Sequence, residues 1–322
     1  MQNVLVTGAT GFVGHAMCRR MLTEDWNVHG TTRSMSQKAL LPPDVESVEI
    51  RNIGPTTEWE SALEGIDTVV HLAARVHLRA DSATDPIAEY RLTNVSGTIH
   101  LARTAATKNV RRFIYLSSIK VNGEGKQTPY TADDRPGPSD PYGLSKFEAE
   151  QKLLDLAEKT DLEVVILRPP LVYGPGVKAN FLQLIKMIDR GIPLPLANVQ
   201  NHRSFIYLEN LVDALMECIV NPAAAGQTFL LSDGVEISTP ELIRKVSAAL
   251  EKPSRLFSCP LVFLRYLGKI TGKSRMVSRL LDSLTVNMSK IQLELNWHPP
   301  FTMDEGLQQT ARWYRQAADK SG

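Results

Sequence analysis

The stretch DPYGLSK (Asp140–Lys146) sets a tyrosine and a lysine four residues apart just after a proline, and on a helix those two positions share one face. The Lys146 ammonium can then lie near the Tyr142 phenol. A free tyrosine, with a pKa of about 10, is a sluggish base at pH 7. A neighbouring cation favours phenolate, so the spacing predicts that Lys146 lowers the Tyr142 pKa. Upstream, RFIYLSSIKVNGEG brings Ser117 and Ser118 to the C-terminal end of a strand, the edge at which doubly wound sheets bind ligands. Ser118, Tyr142 and Lys146 together fit hydride chemistry at a carbonyl. Reducing a ketone creates an alkoxide that needs a proton, which Tyr142 supplies, while Ser118 holds the reacting oxygen and Lys146 donates to the nicotinamide ribose hydroxyls. Taken singly, each has a bland reading: a helix-start tyrosine, a solvated lysine, a strand-end serine.

Such chemistry needs a dinucleotide, and the chain opens with a place for one. TGATGFVG (Thr7–Gly14) follows the first strand-like run and begins the first helical one. Gly8 permits a tight turn, Gly11 lets backbone approach a pyrophosphate, Gly14 lets helix and strand pack closely, and the helix N-terminus faces the phosphates. Thr10, Phe12 and Val13 complete the expected cofactor-binding loop. At the end of the second strand-like run, VHGTTRS (Val28–Ser34) offers Thr31 and Thr32 where an NAD binder carries an acid, with Arg33 beside them. A guanidinium there suits a 2′-phosphate, so NADP(H) is the favoured cofactor and NAD(H) the alternative.

Behind these residues, short β-rich runs alternate with helical ones: NVLVTG, then a helix from about Phe12, then NVHGTT, VESVEI, DTVVHLAA, RFIYLSS and EVVILRP. Continuous Val/Ile/Leu strands spaced by helices predict a parallel sheet covered on both faces. The expected fold is α/β: a Rossmann-like doubly wound parallel sheet over residues 1–168, and a smaller, mainly substrate-binding C-terminal lobe over 169–322. A segment near 203–232 returns to the first unit, with TFLLSD near Thr228 as a strand of the main sheet. Within the lobe, Ser254–Leu281 carries many more Lys and Arg than acids, which reads either as a solvated face or as an attraction for an anionic substrate.

Composition removes whole classes of function. With 322 residues and 43% hydrophobic content, the chain can bury a large α/β core. Thirty-six basic residues balance thirty-five acidic ones, so no overall charge draws the protein to nucleic acid or an anionic membrane. No apolar run reaches the roughly twenty residues of a membrane span, and strand-like sequence begins at Gln2, so the expectation is a cytoplasmic protein without membrane insertion. Cys18, Cys218 and Cys259 are far apart and lack metal-ligand spacing, so they read as reduced packing residues, and no metal is expected.

The spacing G-x-x-G-x-x-G, then Ser118, then Y-x-x-x-K about two dozen residues later, resembles the extended short-chain dehydrogenase/reductases. Within them the chain is similar to the NAD(P)-dependent nucleotide-sugar epimerase, dehydratase and reductase group over nearly its whole length. HLAA (His71–Ala74), NVSGT (Asn94–Thr98), RPPLVYGPG (Arg168–Gly176), RSFIYLENL (Arg203–Leu211) and LNWHPPFTMDEGL (Leu295–Leu307) carry the resemblance further. It implies that Asn52 and Ile53 contact adenine, with Asn replacing the family's Asp. Leu72, Ala73 and Ala74 would line the cofactor ribose, Asn94 would help anchor the site, and Pro169 would lie beside the nicotinamide. It further implies a UDP-sugar substrate contacted by Asn180 and Phe181, its diphosphate gripped by Arg203 and by Arg279 or Arg275. A homodimer is expected through helices at roughly Ile87–Thr107 and Tyr142–Thr160, the latter offering Leu144, Phe147, Leu153, Leu154 and Leu156.

Sugar 4,6-dehydratases carry an acid pair right after the catalytic Ser or Thr; here Ile119 and Lys120 follow Ser118, which disfavours dehydration. Arg33 and the missing second-strand acid favour net redox chemistry. The wording HLAARVHL, SSIKVNGE and RPPLVYGPGVKANF looks closest to enzymes of bacterial surface polysaccharide (lipopolysaccharide O-antigen) biosynthesis. The leading expectation is therefore a UDP-N-acetylquinovosamine dehydrogenase, a 4-keto-reductase converting a UDP-4-keto-6-deoxy-N-acetylhexosamine to UDP-N-acetylquinovosamine or the reverse. The alternatives are a UDP-hexose or UDP-N-acetylhexosamine 4-epimerase with tightly held NAD, and a non-catalytic NADP-binding sensor.

Overall fold

A strand whose side chains alternate between two buried faces needs apolar residues at every position, and the Val/Ile/Leu runs supply them. The computed structural model describes residues 2–76, 85–126, 128–272 and 274–319. Strand β1 (Asn3–Thr7) leads through the glycine-rich loop into α1 (Phe12–Leu22), followed by β2 (Asn27–Thr32), β3 (Glu46–Glu49) and β4 (Thr68–His71). Next come α2 (Pro86–Tyr90), a π-helical turn at Arg91–Gly97, and α3 (Thr98–Thr107). After β5 (Arg112–Leu116) and a 3-10 turn at Ile119–Val121, the long α4 (Pro141–Ala157) precedes β6 (Glu163–Arg168).

The rest of the chain is less regular, as its proline-rich loops predict. It comprises β7 (Leu171–Tyr173), α5 (Ala179–Asp189), β8 (Arg203–Tyr207), α6 (Leu208–Val220), β9 (Thr228–Leu230) and β10 (Glu236–Ile237). It closes with α7 (Thr239–Ala249), α8 (Leu261–Ile270), α9 (Ser274–Leu281), α10 (Ser289–Leu295) and α11 (Met303–Asp319).

The main sheet has seven strands in the order β3-β2-β1-β4-β5-β6-β9, all parallel. The fold is thus the expected α/β, Rossmann-like doubly wound one. Its strand order reverses between β1 and β4, which opens a crevice at the carboxyl ends of the strands. Val4, Val6, Val70, Ile114, Val165 and Leu167 fill the core on one face, and Leu5, Val69, Phe113, Tyr115, Val164 and Ile166 fill it on the other. Each such aliphatic burial stabilises by about 1.5–3 kcal/mol.

TFLLSD does return to the main sheet, as β9 beside β6. The earlier RSFIY run does not: β8 pairs with β7 and β10 in a separate three-stranded mixed sheet. A buried Asp233 ties that sheet to α6, accepting hydrogen bonds from the Tyr173 hydroxyl (2.7 Å), the Tyr207 amide (2.8 Å) and the Asn210 amide group (2.8 Å). Among the described residues no helix is long and apolar enough to cross a membrane.

Candidate active site

The glycine-rich loop is shaped by contacts that leave no room for side chains. Gly8 has φ +71°, and a Cβ there would lie 2.9 Å from the Ala73 nitrogen; one on Gly14 would lie 2.1 Å from the Gly8 carbonyl oxygen. The loop therefore packs directly onto the end of β4, where Leu72, Ala73 and Ala74 are half-buried. Thr31 fastens the same loop from β2, its Oγ1 accepting the Gly8 amide at 3.1 Å. Gly11 is the N-cap of α1 and supplies no side-chain cap, so the amides of the first turn, at Phe12 and Val13, are open donors for a diphosphate. Thr10 sits half-buried in the turn between. This cradle fits a nicotinamide dinucleotide.

Around the cradle, Ile53 packs against the helical segment that follows β4: a Cβ on Gly97 would meet Ile53 Cγ2 at 2.7 Å. Asn52 beside it is exposed. Buried Thr32 lies within 3.3 Å of the Ser47 hydroxyl, and exposed Arg33 donates its backbone amide to Gln37 Oε1 at 3.2 Å. Sequence reasoning missed His71. Its ring spans the sheet and α3, with Nδ1 2.7 Å from Thr7 Oγ1 and Nε2 2.9 Å from Thr98 Oγ1. Burial, aided by the Lys146 charge, lowers its pKa to about 3, so it stays neutral.

The residues expected to handle the proton lie at the start of α4. Asp140 caps that helix by accepting the Gly143 amide at 2.7 Å, and Pro141 takes the first helical position, where its missing N–H costs nothing. Lys146 is 2% exposed. Its Nζ donates to the Leu116 carbonyl at 2.8 Å and stands 4.4 Å from the centre of the Tyr115 ring. Burial lowers the lysine to a pKa of about 7, against the opposing charge of Glu150 one turn further along.

Here the structure corrects the sequence. Burial, then the charges of Asp140 and Tyr90, push the Tyr142 phenol above its ordinary pKa, and Lys146 does not lower it. The ammonium is turned towards β5. The cation over the Tyr142 ring is instead Lys120, with Nζ 5.6 Å from the ring centre and ion-paired with Asp140. Lys120 belongs to the turn that Ser118 begins, and half-buried Ser118 accepts the Lys120 amide at 3.3 Å. Pro169 holds that turn from below, its carbonyl accepting the Ile119 amide at 3.0 Å. The sequence signal for Lys120 was its place two residues after Ser118, which spoke there only against an acid pair.

Two buried networks fix these elements. Asn94, carried inward by the π-helical turn, donates to Ser145 Oγ at 3.0 Å and exchanges hydrogen bonds with the Arg75 backbone at 2.8 and 3.0 Å. Ser145 Oγ in turn donates to the Tyr142 carbonyl at 2.8 Å. π-turns recur at functional sites because they re-aim a side chain. On the other side, Arg168 at the end of β6 pairs with Glu150 of α4 at 2.6 Å and donates to Asn122 Oδ1 at 3.0 Å. Asn94 thus ties the segment after β4 to α4.

The substrate-side residues are only partly brought together. Arg203 Nη1 donates to the Asp282 carbonyl at 2.9 Å. Burial lowers its pKa, and nearby Arg279 lowers it too, against the charges of Glu124 and Asp282. Two neighbouring guanidinium groups are the donors that a diphosphate would need. Arg279 Nη2 also lies 4.0 Å from Asp140 Oδ2, which joins this end of the cleft to the helix bearing Tyr142. Asn180 is exposed, following Ala179 at φ +52°. Phe181 departs from expectation: its side chain is buried in the core, stacked on Tyr173 at 5.5 Å, on the side of α5 that faces inward. The Arg275 side chain lies outside the described residues.

The start of α4, with Tyr142 and Lys146, thus packs against the turn that Ser118 begins. Residues 4–231 match the NAD dependent epimerase/dehydratase family. The chain is 42% identical to a UDP-glucose 4-epimerase from Vibrio cholerae, over 99% of this chain and 97% of that one. It is 28% identical to an N-acetyl-alpha-D-glucosaminyl-diphospho-ditrans,octacis-undecaprenol 4-epimerase from Escherichia coli O157:H7, over 97% and 95%. Among solved structures, MoeE5 in complex with UDP-glucuronic acid and NAD superposes with a TM-score of 0.79 at 26% identity, covering 98% and 99% of the two chains.

Proposed function

The chain belongs to the NAD dependent epimerase/dehydratase family, and from that premise we propose that it is a 4-epimerase of a UDP-hexose or UDP-N-acetylhexosamine that works with NAD. The observation that carries the reading is the presence of Ser118, Tyr142 and Lys146 around one crevice in a chain so similar, end to end, to a UDP-glucose 4-epimerase. A bound nicotinamide cofactor supplies hydride acceptance and return. The chain's own residues do the rest. The phenolate of Tyr142, which the raised pKa makes the minor form, takes the proton from the sugar hydroxyl, the resulting phenol later gives it back, and Ser118 holds that oxygen by a hydrogen bond. Arg203 and Arg279 grip the diphosphate, so the sugar can turn while its handle stays fixed.

This reading replaces the expectation of a 4-keto-reductase using NADP(H), which rested on Arg33 and on the missing acid. Thr31 is spent on the glycine-rich loop and Thr32 on Ser47, so the ribose end of the cradle carries no acid. That alone does not create a phosphate site, and the hydrogen bond shown for Arg33 is made by its backbone amide. The likeness to a structure containing NAD supports NAD instead. A pure sensor role is disfavoured because all three chemistry-bearing residues are present.

The test uses purified protein without added cofactor. Interconversion of UDP-glucose or UDP-N-acetylglucosamine with its C4 epimer, together with release of NAD on denaturation, is the expected result. No epimer, with NADPH consumed on UDP-4-keto-6-deoxy-N-acetylglucosamine, would return the reductase reading.

A further inference from the structure

Helix α8 is apolar nearly all round, yet it lies on the surface. Its inner side, Leu261 and Leu264, packs against the core, and Gly268 is its single buried residue among those described. Gly268 is where α9 crosses: a Cβ there would meet Val277 Cγ2 at 2.7 Å, so the two helices touch backbone to side chain. The outer side is uncovered. Val262 is 80% exposed, Phe263 52%, Tyr266 60% and Ile270 64%. Val262, Tyr266 and Ile270 fall four residues apart, so they form one ridge along the helix, with Phe263 beside it. A helix apolar on all sides normally lies in a protein core or against lipid.

The charge around the ridge selects what covers it. From Lys252 to Leu281 the chain carries seven Lys and Arg residues and no Asp or Glu, although the protein as a whole is nearly neutral. Of the described members, Lys269 is exposed, as is Arg265, which pairs with Asp282 at 2.7 Å. A second copy docking through the same ridge would set one basic segment against the other, which is repulsive. A negatively charged surface is complementary. A row of Val, Phe, Tyr and Ile flanked by Lys and Arg is the pattern by which a helix lies in the interface of an anionic bilayer, apolar side down and basic groups among the headgroups.

We propose that α8 docks the protein on the surface of an anionic phospholipid bilayer. The inference does not depend on the epimerase reading. The buried side of α8 packs on α9, and Arg279 of α9 reaches Asp140 at the start of α4, so the docking helix is linked to the site through α9. The full-length protein should co-sediment with vesicles of equal parts phosphatidylglycerol and phosphatidylethanolamine, and much less with pure phosphatidylcholine or in high salt. The triple variant Val262→Ser, Phe263→Ser, Ile270→Ser should lose about tenfold or more in partitioning. It should keep its melting temperature and its turnover of a soluble UDP-sugar. Lys269→Glu should weaken binding to the anionic vesicles alone. Wild-type protein that stays in the supernatant overturns the proposal, as does a triple variant that binds as well as wild type. A wild-type dimer that the triple variant converts to monomer assigns the face to a second copy and overturns it too.

Discussion

The Tyr142 phenol and the Lys146 ammonium each stand on the unfavourable side of their ordinary pKa, one high and one low, and burial is the leading cause of both. Tyr142→Phe should cut turnover by about 10²–10⁴-fold, the usual worth of general acid–base catalysis, while leaving cofactor binding intact by fluorescence titration. Lys146 has a signed effect on stability. Its folded pKa of about 7 lies below the unfolded 10.5, so between those values the unfolded chain binds more protons and stability rises with pH. Lys146→Met should flatten that rise and melt higher than wild type at pH 6, by about 1.5 °C per kcal/mol recovered, while abolishing turnover. Lys120→Met should act on the phenol through Asp140. With its cation gone, Asp140 pushes Tyr142 further up, so the rising limb of the kcat–pH profile moves to higher pH and turnover at pH 7 falls roughly tenfold. An unmoved profile would mean that Lys120 serves only the turn.

At the scale of elements, Gly143 shows how packing overrules propensity. Inside a helix, Gly→Ala ordinarily stabilises by about 1 kcal/mol. Here a Cβ would come 2.8 Å from the Lys120 carbonyl oxygen, a backbone atom that cannot step aside alone. Gly143→Ala should therefore displace the Ser118 turn, lowering kcat while the melting temperature fails to rise. What could be read from the sequence divides along similar lines. The strands of the main sheet were legible because apolar runs between helices admit few other structures, and the Gly8, Gly11, Gly14 turn because its glycines precede a helix. Ser118, Tyr142 and Lys146 could be grouped by spacing. The direction of the Lys146 side chain could not, because it is set by the Leu116 carbonyl thirty residues away. Phe181 looked like a ligand contact for the same reason: a motif gives position along the chain, and the packing of α5 on Tyr173 decides which way the ring turns.

Taken whole, the molecule joins a parallel sheet that carries the cofactor cradle to a lobe that carries positive charge. If Arg203 and Arg279 grip the diphosphate as proposed, Arg203→Ala and Arg279→Ala should each raise KM for a UDP-sugar by about tenfold or more, the loss of a charge-assisted contact worth roughly 1.5–3 kcal/mol, with a much smaller change in kcat. A fall in kcat at constant KM would place these residues in the chemistry instead of in binding.

The strand order also bears on how the protein emerges from the ribosome. β6 ends at Arg168, but its outer neighbour β9 begins only at Thr228. At ~5–20 residues per second, those sixty residues take about 3–12 s to be made. Through that interval β6 presents an unpaired edge of Val, Ile and Leu, the kind of template that recruits other chains. Nascent-chain arrest between the two strands should therefore give the most chaperone-bound, most aggregation-prone intermediate in the synthesis of this protein, and release beyond Leu230 should end it.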